Sequence, residues 1–186
     1  MVGLFSRMIV GMTIRMPRWF VGWVSKRYVA GPSLDDAIRV MKRLESEGAC
    51  FTIDVLGEEI STMTEATFFL EEYKRVIAAI TENSLDANLS IKPTAFGILL
   101  DREKGMSNIE SLVKMAADHN MFVRLDMEDH RATSDTIQVM LDMHDSGLQN
   151  VGVVLQGRLF RTLKDIEEIK NKLGPSADYR ICKGIY

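Results

Sequence analysis

Asp54, Lys92, Asp126, Gln156 and Lys183 recur along this 186-residue chain at intervals of 38, 34, 30 and 27 residues. Each interval is about one β-strand, one helix and the loops that join them. Each of the five residues also closes a short apolar, β-rich run: Phe51 to Ile53, Leu89 to Ile91, Phe122 to Leu125, Val151 to Leu155, and Tyr179 to Cys182. The residue types suit chemistry. A carboxylate can hold a cation or a proton, an ammonium can hold an anion, and a glutamine can donate and accept at once. Arg180, within the last run, adds a fixed cation. In α/β proteins functional groups gather at the carboxyl ends of parallel strands, which is where this pattern places them.

The intervening segments read as helices. Ser33-x-x-Asp36 and Thr62-x-x-Glu65 resemble capping boxes, the first opening a helix that Gly48 ends and the second a helix to about Asn83. Ser107-x-x-Glu110 predicts a helix to His119, Asp135–Asp145 another that stops at Gly147, and Thr162-x-x-Asp165 a last one to Leu173. Five strands joined by four helices, with no Asn-Gly hairpin, indicate parallel crossovers. The first strand–helix turn, Asp54-Val-Leu-Gly57-Glu58, is not the Gly-rich phosphate turn of an open doubly wound sheet. The expected fold class is therefore α/β, a (β/α)8 TIM-barrel type truncated to about five βα units, since a full barrel takes about 250 residues. Such a sheet leaves two unpaired edges and, on this reading, uncovered apolar faces, so the chain alone is expected to self-associate or to need a partner.

Charge is uneven. Residues 1–34 carry Arg7, Arg15, Arg18, Lys26 and Arg27 and no acid, so a net charge of −3 overall leaves −8 on the rest. That balance argues against nucleic acid as a partner. Leu4, Phe5, Met8, Ile9, Met12 and Met16 recur at helical spacing, followed by Trp19, Phe20 and Trp23. Residues 1–32 thus read as an amphipathic helical leader ahead of a domain at 33–186. Three roles are open: covering the bottom of the domain, lying on an anionic membrane surface, or serving as a mitochondrial presequence. Arg7 interrupts any secretory h-region, and charge breaks every apolar stretch before the ~20 residues of a membrane span. Cys50 and Cys182 read as buried, reduced thiols of a cytoplasmic protein, and three scattered histidines make no zinc pattern.

Six segments, taken in register, resemble one family. Tyr28-Val-Ala-Gly-Pro-Ser-Leu34, Ile53-Asp-Val-Leu-Gly-Glu58, Leu89-Ser-Ile-Lys92, Val123-Arg-Leu-Asp-Met-Glu-Asp129, Val151-Gly-Val-Val-Leu-Gln156 and Arg180-Ile-Cys-Lys-Gly-Ile-Tyr186 are similar to the monofunctional bacterial proline dehydrogenases. The resemblance implies a flavin-dependent distorted barrel that oxidises L-proline to 1-pyrroline-5-carboxylate. FAD would accept the hydride, and a quinone or another acceptor would take the electrons. Carried over by motif, Asp126 and Arg180 fall at catalytic positions, and Lys92 and Tyr186 at substrate-binding ones. Met127, Gln156, Arg180, Lys183, Gly184 and Ile185 fall where the family contacts FAD. This sequence departs from the family at Val55, where histidine is usual, at Pro93, where leucine is usual, and at Gly157-Arg158 and Ile185.

The residue types agree with that chemistry. A cation such as Arg180 beside the flavin raises its electron affinity, and Gly184 lets backbone approach a ring closely. A charged Lys92 near Asp126 would pair with it, and Pro93 would keep Lys92 extended. Asp126 is either a base for the substrate amine or the group that orients Lys92 and Arg180. Taken without the resemblance, Asp126, Glu128 and Asp129 also read as a solvated acidic strand end or a Mg²⁺ site, and Lys92 and Lys183 as surface lysines. The resemblance implies no metal. It places the chain in the cytoplasm, with peripheral contact at the inner membrane face left open. The alternative reading is a non-catalytic truncated remnant, or one half of a split enzyme completed by a complementary C-terminal chain.

Overall fold

The computed structural model describes residues 16–25, 28–57, 60–128 and 130–184, Arg18 by its backbone alone. Helix α1 (Arg18–Ser25) precedes α2 (Leu34–Glu45). There follow β1 (Phe51–Ile53), α3 (Met63–Glu82), β2 (Ala87–Ile91), α4 (Arg102–Asp118), β3 (Val123–Leu125), α5 (His130–Asp145), β4 (Val151–Gln156), α6 (Thr162–Leu173) and β5 (Tyr179–Cys182). All four strand pairings are parallel and the order is β1-β2-β3-β4-β5. A doubly wound sheet reverses direction at a switch point; this one never does, so it curls one way as a half-barrel of five βα units.

Register explains the two faces. Parallel partners point to the same side. Leu89 pairs with Val123 and Val123 with Val151, while Ser90 pairs with Arg124 and Arg124 with Gly152. The first set, with Ile91, Leu125, Val153 and Leu155, is fully buried against the apolar faces of α3, α4 and α5. The second set lines the concave side together with Asn88 and Arg180, and it is largely polar. The open, concave side of the sheet is largely polar; on the helix-facing side Ile181 of β5, in register with Leu155, is 51% exposed, so the expected uncovered apolar surface is confined to the last strand.

Helix starts follow local capping. Ser33 accepts from the Asp36 N–H at 3.2 Å. Thr62 accepts from the Glu65 N–H at 3.4 Å, while the Glu65 carboxylate takes the Thr62 hydroxyl at 2.9 Å and the Ser61 N–H at 3.3 Å. The start predicted at Ser107 is corrected to Arg102, because Asp101 caps the Lys104 N–H at 3.1 Å. That longer helix passes Gly105, where a Cβ would lie 2.6 Å from the Ile98 backbone nitrogen, so only glycine lets α4 pack so close. α5 likewise begins at His130, ahead of the expected Asp135. Thr162 caps nothing; its hydroxyl donates to the Gln156 carbonyl at 2.5 Å, tying α6 to the end of β4.

Cys50 is exposed and Cys182 half-buried, both unbridged, so the burial expected of them does not hold. The predicted helix over Met1–Met16 lies outside the described residues, save Met16 itself. In α1, Trp19 and Trp23 are 74% and 67% exposed. Among the described residues no helix is long and apolar enough to cross a membrane.

Candidate active site

The strand ends meet as two linked ion pairs on the concave side. Lys92 leaves β2 in extended conformation, held so by Pro93, the first residue of a single 3-10 turn (Pro93–Phe96) that Gly97 closes at φ +92°. Its ammonium donates to Asp54 Oδ2 at 2.5 Å, with both side chains largely buried. Burial alone would lower the Lys92 pKa. The hydrogen bond to Asp54 and the charges of Asp54, Asp126 and Glu128 together outweigh it, so the amine is pushed above its ordinary value. The sequence-based pairing of Lys92 with Asp126 is thus replaced by Lys92 with Asp54.

Asp126 has other partners. Its Oδ1 accepts the Ser90 hydroxyl at 2.6 Å and the Arg180 guanidinium at 3.1 Å, and the same guanidinium nitrogen lies 3.3 Å from Ser90 Oγ. Register places these three on one side of β2, β3 and β5, with Gly152 and Val154 of β4 between them. Burial pushes the Asp126 carboxyl above the usual carboxylate range; Ser90 and Arg180 pull it down without cancelling that rise. Arg180 remains 42% exposed toward the mouth, so it is oriented yet accessible.

Beside these pairs, Glu128 takes the Thr94 N–H at 2.9 Å and the Thr94 hydroxyl at 2.5 Å, which clamps the loop after β3 to the turn that carries Lys92. Asp126 and Glu128 therefore serve different partners, and among the described residues no group of three or more His, Cys, Asp or Glu could hold a metal. Asp129, Ile185 and Tyr186 lie outside the described residues. Lys183 is exposed, and its carbonyl accepts from the Arg158 N–H at 3.1 Å.

Gln156 shows the sharpest anomaly. It is 4% exposed, and its amide donates to the Met127 carbonyl at 3.0 Å, yet its Oε1 is buried with no hydrogen-bond partner. An orphaned buried acceptor is costly and uncommon. Gly184, at φ +79°, lies against it; a Cβ there would come within 2.4 Å of that oxygen.

Three contributors escaped sequence reasoning. Ser90 carried a signal, because it lies two residues before Lys92 and so shares its face of the strand. Thr94 carried none, since its role depends on Glu128 from another unit. Tyr73 sits on the apolar face of α3 and reads as core; it is 1% exposed, yet its hydroxyl reaches the end of β1.

A singly wound parallel sheet with ionic groups gathered at its carboxyl ends defines a β/α-barrel protein with its site at the mouth. The proline dehydrogenase family profile matches residues 37–186. Proline dehydrogenase 1 of Bacillus subtilis strain 168 is 33% identical over 162 residues, which cover 87% of this chain and 52% of that protein. Proline dehydrogenase of Deinococcus radiodurans is 30% identical over 167 residues, covering 88% and 53%. A crystal structure of proline utilization A (PutA) from Bdellovibrio bacteriovorus superposes with a TM-score of 0.78 at 20% identity, covering 89% of this chain and 20% of that one, which shows the shared fold. The chain belongs to the proline dehydrogenase family, and it spans about half the length of the curated relatives it matches.

Proposed function

We propose that these five units form the substrate- and flavin-facing part of a proline dehydrogenase site, active once further strands close the barrel. The observation that carries the reading is the convergence at one sheet end of Lys92–Asp54, Asp126–Arg180 and the unpartnered oxygen of Gln156. FAD fits the residues present: Gln156 Oε1 is a buried acceptor without a donor, Gly184 lacks the Cβ that would collide with it, and Met127 and Lys183 border the same strand ends, with Ile185 next along the sequence. When bound, FAD supplies the two-electron acceptor for converting L-proline to 1-pyrroline-5-carboxylate, and a quinone is the onward acceptor.

The chain's own residues do the rest. Lys92 exchanges its Asp54 partner for the substrate carboxylate, and Tyr186 is carried over by motif as a substrate-binding residue. Asp126 fixes the direction of Arg180, which stabilises negative charge as it develops at the flavin. With Oδ1 engaged by both Ser90 and Arg180, orientation is the role this geometry favours for Asp126 over direct proton abstraction. The basic leader at 1–32, ahead of the domain at 33–186, is assigned a peripheral contact with an anionic membrane surface, a role that the exposed Trp19 and Trp23 suit.

The test is a fusion of this chain to the remaining barrel units of the Bacillus subtilis relative. It should purify yellow, bleach on adding L-proline and reduce an artificial dye. The 186-residue chain alone should hold FAD poorly, since losing several charge-assisted contacts weakens binding by orders of magnitude. A colourless fusion, or a yellow one that proline does not bleach, overturns the assignment and favours the non-catalytic reading.

A further inference from the structure

The Tyr73 hydroxyl has one proton and three neighbours. It accepts from the Val55 N–H at 3.1 Å, lies 2.7 Å from the Ser90 carbonyl and 3.2 Å from Asp54 Oδ1. A phenol can donate to only one acceptor at a time. The shorter contact gives the proton to Ser90 O while Lys92 neutralises Asp54 through Oδ2. Burial, and after it the nearby charges of Asp54 and Asp126, push the phenol well above its ordinary value despite the Val55 N–H, so it stays a donor. The ring is fixed by its place in the apolar face of α3 and by Phe96, 5.7 Å away between centroids, so the hydroxyl can rotate while the ring stays put.

We infer that Tyr73 is a positioning residue that releases Lys92, its hydroxyl turning from the Ser90 carbonyl to Asp54 when the ammonium leaves for an anionic ligand. Without it, Asp54 would lose its lysine and remain a partly buried carboxylate with no donor, so Lys92 would be reluctant to leave. The inference rests on the proposed role of Lys92 at the substrate carboxylate. The Ser90 carbonyl is the acceptor that loses the Tyr73 hydrogen bond, so the switch also links the Asp54–Lys92 pair to the residue whose hydroxyl holds Asp126.

The switch is testable without proline or flavin, so its failure and that of the proposed function are distinguishable. Lys92→Met mimics departure of the ammonium. Tyr73→Phe should then reduce the folding equilibrium constant by roughly tenfold more in the Lys92→Met background than in the parent, ~1.4 kcal/mol of coupling. Asp54→Asn, added to both, should abolish the excess. Equal costs in the two backgrounds mean that the hydroxyl serves only Val55 and Ser90, and overturn the switch. If the double variant does not fold, the 13Cζ resonance of Tyr73 in Lys92→Met alone decides: movement relative to the parent supports transfer to Asp54, and an unmoved signal overturns it.

Discussion

Gln156→Met separates a glutamine kept for a ligand from one kept for the fold. The change removes the amide donor to the Met127 carbonyl at 3.0 Å, a hydrogen bond with a net contribution of about 0.5–1.5 kcal/mol. It also removes Oε1, an acceptor already buried without a partner, whose desolvation costs the parent about 1–3 kcal/mol. Methionine keeps the volume and an unbranched stem in a site that is 4% exposed. The two effects oppose, so the flavin-free chain should fall between a loss of about 0.5 and a gain of about 2.5 kcal/mol. FAD affinity of the fused protein should instead fall about tenfold, the equivalent of one lost hydrogen bond. Urea unfolding followed by circular dichroism gives the first quantity, and flavin fluorescence titration the second. A loss above ~2 kcal/mol without flavin, or unaltered FAD affinity, would falsify the ligand-facing role.

Asp126→Asn should alter the acid limb of the stability curve. Burial raises the folded carboxyl above its unfolded value, so the parent loses stability as pH rises from the usual carboxylate range through the folded value. The asparagine variant should lack that loss and be the more stable protein at pH 7; identical urea midpoints from pH 3 to 8 count against the reasoning. Gly152→Ala puts a Cβ 2.6 Å from the Asp178 carbonyl and 2.9 Å from its carboxylate, which Arg124 holds at 3.0 Å. β5 must shift, and a loss of about 1–3 kcal/mol is expected; a neutral melt would show that β5 is already loose. In the fused enzyme, Arg180→Met should lower kcat more than it raises KM, and Lys92→Ala the reverse; full turnover with Arg180→Met removes that residue from the mechanism.

Strand ends are the most legible feature of the sequence, because a polar residue that follows an apolar run at one-unit spacing marks where a parallel strand leaves the core. Asp54, Lys92, Asp126, Gln156 and Lys183 can be placed at one sheet end on that basis. Their pairing cannot. Lys92 lies between β1 and β3 neighbours, and periodicity says nothing of which carboxylate its side chain reaches; the turn made by Pro93 and clamped by Glu128 decides for Asp54. Helix starts are misread where two capping candidates compete, as at Asp101 and Ser107. Tyr73 is illegible for a different reason. An aromatic on an apolar helix face is ordinary core, and only the folded arrangement brings its polar tip between β1 and β2.

The chemical contrast between the two sides of the sheet bears on what closing the barrel must add. The convex side is covered by helices from β1 to β4, and the concave side already holds the ion pairs Lys92–Asp54 and Arg180–Asp126 within these five units, with Glu128 hydrogen-bonded by Thr94. Besides those at residues 19–34, exposed apolar side chains lie near the last unit, at Phe160, Leu163 and Ile181. Closure is therefore not needed to create the ion pairs or to bury a raw apolar lumen. Further strands have to cover that β4–β5 margin, exclude water from groups whose electrostatic effect grows as the local dielectric falls, and supply the remaining ligand contacts. Gln156 Oε1 is the exception within the site, a buried acceptor whose partner none of these five units provides. Gly184, lacking a Cβ, is what lets the Gln156 side chain pack there with that acceptor unmatched.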